Sequence, residues 1–441
     1  MTHDIQGFNT PQQCTLCSLL CSEAAPKLES FITKCPRWVQ WMHAKPAYGI
    51  SQEACESLEH LATQVHHLLA DSQRSLIWLE GADVLTTRLV VNLAMLHNSV
   101  IHIPSTVGHE HVRRVKAFDG WLGTTLAEMA EHSQLIVTLG EQWIHRLPLL
   151  ARRWISPKPF QSNRQWWNIC SDASAENSPN HDREPSREPS CATNRECRQV
   201  VWPRESWHHR LTMLHQTIQA ANLVTSGRLT TKDPDPLFQA FLNSPHTTII
   251  WEESEFNCPA DEVLVHRLLQ ISQAASKHTV CNLLVLDSDV GRETARSTLM
   301  WLTGCQSSAQ FDGRQWHTPH YAEYFNLHDW QESFDGCLLI RTTASIEPPS
   351  NIQAQVALCS SPTDIANELY NEVIQVATSG MEAEAFLMRG DHGMTIFSEG
   401  SANDYQPTGS NDLIRGAPNY PSATEILHRA TKMASVAERS K

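Results

Sequence analysis

Four cysteines near the start of the chain have the residue type and spacing to do chemistry. Cys14, Cys17, Cys21 and Cys35 form a Cys-x2-Cys-x3-Cys-x13-Cys pattern. Thiolates bind iron and soft metals, and a tight turn through the first three brings their sulfurs to the corners of one cluster. The pattern fits a 4Fe-4S cluster. The same four thiolates suit zinc, and a vestigial, unfilled site is a third reading. A second constellation is His109, Glu110 and His111. With no third ligand at metal spacing it reads as a histidine-rich surface loop. His317-Thr318-Pro319-His320 reads as structural, and Cys337, inside an apolar run, as a small buried hydrophobe. There is no Gly-x-Ser-x-Gly elbow and no Walker loop, so neither nucleophile nor phosphate cradle is expected on those grounds.

The elements that must position these residues alternate along the chain. A helical pattern over about 52–71 is followed by the apolar run Ser75-Leu76-Ile77-Trp78-Leu79-Glu80-Gly81, which reads as a strand ending at glycine. A helix over 86–96, a strand over 99–103, a helix over 117–131 and a strand over 134–140 continue the alternation. After residue 200 it resumes: helix 208–224, strand 247–251, helix 261–275 and strand 280–286, then strands near 336–341, 351–357 and 373–377. Strands alternating with helices give doubly wound, mostly parallel sheets, whose ligand loops lie at the carboxyl ends of the strands. The fold class expected is therefore α/β, with two such lobes and a short cysteine-rich N-terminal segment. The boundaries read as 1–45 for that segment, 46–170 for the first lobe and 201–370 for the second. A polar, Pro-rich insertion over 171–200 reads as disordered, and a C-terminal segment, 371–441, packs back as irregular structure.

Composition narrows the function. The 441 residues suffice for two or three cores. A formal net charge of −14 argues against a nucleic-acid partner, which needs a basic field. No apolar stretch reaches the roughly 18 residues that span a bilayer, and Met1 to Ile5 has no secretory pattern. No membrane partner is expected, and the expected location is cytoplasmic, where thirteen cysteines do not imply a disulfide framework. The fourteen tryptophans are expected at domain and subunit contacts.

The cysteine run is joined by further motifs. These are Thr106-Val107-Gly108-His109, Leu122-Gly123-Thr124-Thr125-Leu126-Ala127-Glu128, Trp301-Leu302-Thr303-Gly304, and a stretch from Val373 to Arg389 containing Gly380, Glu382 and Glu384. Together they resemble the formylmethanofuran dehydrogenase subunit that holds the metal–pterin cofactor, and its counterpart in bacterial formyltransferase/hydrolase complexes, within the molybdopterin oxidoreductase superfamily. Outside 171–200 the resemblance covers nearly the whole chain. It implies a hetero-oligomeric subunit in tetrahydromethanopterin-linked one-carbon metabolism, with the other subunits and a methanofuran-like carrier as partners.

The departures from that family decide the expected role. Its dehydrogenases place a metal-binding cysteine where this chain has Gly108. They also carry Arg-Gly-His near the position of Asp287-Ser288-Asp289. A missing thiolate and a reversed charge both oppose an anionic metal–pterin cofactor, so a Mo/W-pterin is expected to be absent. Gly108 and His109 then read as the remnant of a catalytic site, and the chain as a non-catalytic scaffold subunit. Two alternatives stand beside it. One is an active dehydrogenase subunit using another metal ligand. The other is an electron-transfer subunit keeping only the cluster at Cys14, Cys17, Cys21 and Cys35.

Overall fold

The run Ser75–Gly81 is buried along its whole length, which a strand achieves only when both of its faces are covered. It forms a central strand of a seven-stranded sheet in the computed structural model. The structure describes residues 13–14, 17, 19–22, 35–37, 57–156, 164–171, 197–224, 235–277, 279–319, 333–343, 352–360, 369–379, 383–391, 395–398 and 421–439.

The chain forms two compact units. The first is built from Met1–Pro104, Asp289–Arg389 and Met394–Lys441. It opens with a ribbon, β1 (Gln13–Cys14) paired antiparallel with β2 (Cys21–Ser22). Its large sheet contains β3 (Ser75–Gly81), β4 (Val100–His102), β10 (Ser308–Phe311), β11 (Trp316–His317), β12 (Gly336–Arg341), β13 (Ala354–Cys359) and β14 (Tyr370–Gln375), in the order β11-β10-β4-β3-β12-β13-β14. The strands from β4 to β14 run parallel; β10 and β11 add an antiparallel edge. Period-two alternation splits the apolar side chains between faces. Ile77, Leu79, Leu338 and Ile340 share a core with α1 (Leu58–Asp71), α2 (Val84–His97), α9 (Val290–Thr303) and α10 (Ala423–Arg439). Leu76, Trp78 and Leu339 belong to a core on the other face. Across β3 and β12 the buried Arg341 guanidinium meets Glu80 at 2.8 Å, and Trp78 Nε1 donates to the same carboxylate at 3.0 Å. A small antiparallel pair, β15 (Ala385–Met388) and β16 (Thr395–Ser398), completes the unit.

The second unit is Ser105–Ser288 with Gly390–Gly393. Its five strands are all parallel: β5 (Leu135–Leu139), β6 (Gln165–Cys170), β7 (Cys197–Val201), β8 (His246–Glu252) and β9 (Val280–Leu286), in the order β7-β6-β5-β8-β9. Its helices are α3 (Val107–Asp119), α4 (Leu126–His132), α5 (Gln142–Arg146), α6 (Trp207–Val224), α7 (Pro236–Asn243) and α8 (Glu262–Ala275).

The fold class is the one the alternation predicts, but several details differ. The units are not consecutive lobes at 46–170 and 201–370. Along the chain, residues 105–288 interrupt the sequence of the other unit, because the partners of β3 come from both sides of that stretch. The helix expected over 117–131 is two helices. Gly120, at φ +76°, stops α3, and Thr125 starts α4 with a capping box to Glu128. The strand β6 and the helix α9 are unforeseen. The C-terminal segment is not irregular throughout, since it ends in α10. Residues 172–196 of the polar insertion lie outside the described residues, but its end, 197–200, belongs to β7. Among the described residues several tryptophans are core residues: Trp78, Trp143, Trp166, Trp202, Trp207 and Trp251 are buried, whereas Trp301 is exposed. Among the described residues no helix is long and apolar enough to cross a membrane.

Candidate functional site at the carboxyl edge of the second sheet

Because all five strands of the second sheet are parallel, their carboxyl ends deliver side chains to one edge. From β5 come Gly140 and Glu141. The end of β8 brings Glu252 and a 3-10 turn, Glu253–Phe256. Asp287 and Ser288 follow β9. Thr106 enters as the N-cap of α3, accepting from His109 N at 3.0 Å. Its hydroxyl donates to Glu253 Oε1 at 3.1 Å, and His109 Nδ1 lies 3.3 Å from Glu253 Oε2. The Glu253 carboxylate is thus held by two residues of one helix start, with the imidazole partly open to solvent and the carboxylate buried.

Gly108 sits inside this clasp. A Cβ built on it would lie 1.9 Å from the carbonyl oxygen of Glu253 and 3.1 Å from that of Phe256. Both obstacles are backbone, so no rotamer change clears them. Helix α3 can approach the turn this closely only because position 108 has no side chain. A cysteine here would require the 3-10 turn to move. The residues present therefore do not fit a metal held by a thiolate at 108.

The rest of the edge is acidic and largely self-neutralised. Glu252 is fully buried, accepts from Ser254 N at 2.9 Å, and has Arg146 Nη1 3.5 Å from its Oε1. That distance allows ion pairing without a good hydrogen bond. Burial pushes the Glu252 carboxyl above the usual range, with Arg146 opposing and Glu253 adding to the rise. Glu255 is also raised by burial, although Glu141 N and Gln142 N donate to it at 3.0 and 3.3 Å. Arg204 braces the turn from outside, donating to Glu255 O and Asp261 Oδ2, each at 2.9 Å. His111, half of the suspected histidine pair, is buried with Nε2 2.8 Å from Cys258 O, so it fastens α3 and is not a surface-loop residue.

The cysteine ribbon belongs to the first unit. Its register sets Cys14 directly opposite Cys21, and Cys17 lies in the turn between them, buried and outside any disulfide. Leu20 N donates to Cys17 O at 3.1 Å, with Leu20 in the left-handed region, φ +44°. Cys35 is buried. Among the described residues no set of three His, Cys, Asp or Glu side chains is arranged around a metal position.

Asp289 has a structural duty: it caps α9, accepting from Gly291 N and Arg292 N at 3.0 Å each. Trp301-Leu302-Thr303-Gly304 closes that helix, with Gly304 at φ +77°. Gly380 and Glu382 lie outside the described residues; Glu384 precedes β15. Sequence reasoning misses Glu253, the partner of both Thr106 and His109. The only signal for it is the acidic run Glu252-Glu253-Ser254-Glu255 directly after a strand.

No protein-family model and no curated protein matches the chain. Among solved structures it is similar to a chain in the X-ray crystal structure of the formyltransferase/hydrolase complex (FhcABCD) from Methylorubrum extorquens in complex with methylofuran. The TM-score is 0.62 at 16% identity, over 88% of this chain and 98% of that one. The likeness is one of fold, and it spans nearly the whole of the other chain.

Proposed function

We propose that this chain is a non-catalytic subunit of a cytoplasmic formyltransferase/hydrolase complex in tetrahydromethanopterin-linked one-carbon metabolism, working beside other subunits and a methanofuran-like carrier. The observation that carries the loss of redox chemistry is the contact at Gly108. The position where the resemblance places a metal-binding thiolate is filled from outside by the Glu253 carbonyl. The fold likeness along 98% of a chain from such a complex supports the assembly. In this reading the Thr106–Glu253–His109 clasp holds the edge shut, and the chain supplies surface and architecture while formyl transfer and hydrolysis occur on its partners.

A second reading rests on the cysteine ribbon. Cys14, Cys17 and Cys21, completed by Cys35, would hold an iron–sulfur cluster, which supplies one-electron transfer when bound. The opposed Cys14 and Cys21 favour it.

Metal analysis and EPR of the anaerobically purified complex separate these readings. The scaffold predicts no molybdenum, tungsten or iron; the electron carrier predicts iron alone. Stoichiometric Mo or W would overturn both. A Gly108→Cys variant should gain no metal and should lose stability, by about 1–3 kcal/mol in denaturant unfolding, because the added side chain overpacks against backbone. A variant as stable as the parent would show that the edge is open.

A further inference from the structure

Two helices of the second unit are tied together by an imidazole and a guanidinium. Helices α6 and α8 pack along an apolar seam, where Leu211, Leu214 and Ile218 share a core with Val265, Leu268 and Ile271. Beside that seam stands His215, half-buried, with a polar partner at each ring nitrogen. Its Nδ1 lies 3.2 Å from Nη1 of Arg267 on α8. Its Nε2 lies 3.1 Å from the side-chain amide of Gln219, one turn further along α6. Arg267 Nη1 also donates to Gln270 Oε1 at 2.7 Å, which fixes the guanidinium where it meets the ring.

These contacts decide where the proton sits. A guanidinium has donors and no acceptor, so Nδ1 must present its lone pair. A neutral imidazole accepts at one nitrogen only, so Nε2 carries the hydrogen and the Gln219 amide turns its oxygen towards it. Protonation would place a hydrogen on Nδ1 as well, setting donor against donor and cation against cation. Among the described residues the charges that act on His215 are Arg267 and Lys277, both positive. Burial holds the imidazole below the usual histidine range, and both cations push the same way. The remaining charged groups on the packed elements are engaged elsewhere or lie along α6 itself. On α8, Glu262 serves Arg114 and His111, and His266 pairs with Asp119. Helix α7 has no titratable side chain, and its cap Asp235 accepts from Leu237 N. In the turn before α6, Arg204 braces Glu255 and Asp261, and Glu205 precedes the helix. On α6 the further groups are His208, His209 and Arg210.

We propose that His215 and Arg267 form an acid-sensitive clasp, which closes α6 onto α8 while the imidazole is neutral and loosens the two helices when it takes up a proton. The folded state then binds fewer protons than the unfolded chain at this site. Its stability is complete above the ordinary histidine range and falls as pH drops through that range. The apolar seam remains, so the helices loosen locally and the sheet they cover stays intact. The proposal does not depend on the formyltransferase/hydrolase reading.

Hydrogen exchange of the full-length chain, read by mass spectrometry and corrected for the intrinsic pH dependence of amide exchange, tests this locally. Between about pH 7.5 and about pH 5.5, the opening equilibrium in peptides from α6 and α8 should rise about three- to tenfold. That is the effect of losing one ordinary hydrogen bond. Peptides from β3, in the other unit, should not follow. His215→Asn keeps an oxygen acceptor near the place of Nδ1 and has no ring to protonate, so the opening of its helices should not depend on pH. Circular dichroism at neutral pH checks the fold, and His215→Gln replaces the asparagine variant if that one fails to fold. Protection of α6 and α8 that ignores pH, an equal acid response in β3, or a response that persists in the variant would overturn the proposal.

Discussion

Glu252 is a carboxylic acid whose surroundings favour the neutral form. It is fully buried at the end of a central strand, its near cation stands 3.5 Å away, and a second glutamate follows it directly. Burial, the largest influence, raises its pKa above that of an unfolded chain. A group raised on folding contributes stability that is complete below the unfolded carboxyl value and is lost as pH rises through the folded one. Glu252→Gln keeps the shape and an acceptor for Ser254 N without the charge. The melting temperature of the variant should exceed that of the parent at about pH 8, and the gap should narrow towards about pH 5. A gap that does not depend on pH would mean that Glu252 is ionised throughout. At this scale the sequence is half legible. Gly108 stands out as a missing ligand because its neighbours match a motif. The carbonyl that fills its place belongs to a distant residue, and no local pattern brings Glu253 to Thr106 and His109.

Elements are most legible where one physical signal dominates. The strand β3 is an unbroken apolar run between a polar turn and a glycine, and its limits agree with the structure. The loop between α3 and α4 reads as helix because Lys116 to Leu126 contains no proline. Gly120 and the Thr125 cap, which part the two helices, are weak signals until the chain direction is known. The helix α10 shows a legible stripe, Ile426, Leu427, Ala430 and Ala434, hidden by the polar segment before it. Asp289 shows how an element can explain a residue. In the resemblance it stands as a reversed charge; in the structure it satisfies two open amides of α9. Asp289→Ala should therefore destabilise the protein by about 0.5–2 kcal/mol in chemical denaturation, whereas Asp289→Ser or Asp289→Asn should restore most of the loss. Equal losses for all three would show that the charge matters and the cap does not.

For the whole molecule, alternation predicts the class of sheet but not its membership. Strands β3 and β12 are neighbours although most of the chain separates them, and nothing periodic in the sequence announces that pairing. The consequence is an interleaved plan in which a complete five-stranded parallel sheet, with its helices and its tryptophan-rich core, is drawn from Ser105–Ser288. Apart from that segment the second unit contains only Gly390–Gly393, which it holds through Asp391 Oδ2 accepting from Leu126 N at 2.5 Å. A hydrogen bond to a charged group contributes about 1.5–3 kcal/mol, less than the about 5–15 kcal/mol that holds a domain of ordinary size. The fragment 105–288 should therefore fold by itself. Expressed alone, it should unfold in one cooperative transition, with tryptophan emission shifting from buried to exposed and helix signal lost at the same denaturant concentration. Strong dye binding with no cooperative transition, the behaviour of a molten globule, would show that the sheet cannot stand without the flanking chain, and the division into two units would then describe geometry without independent stability.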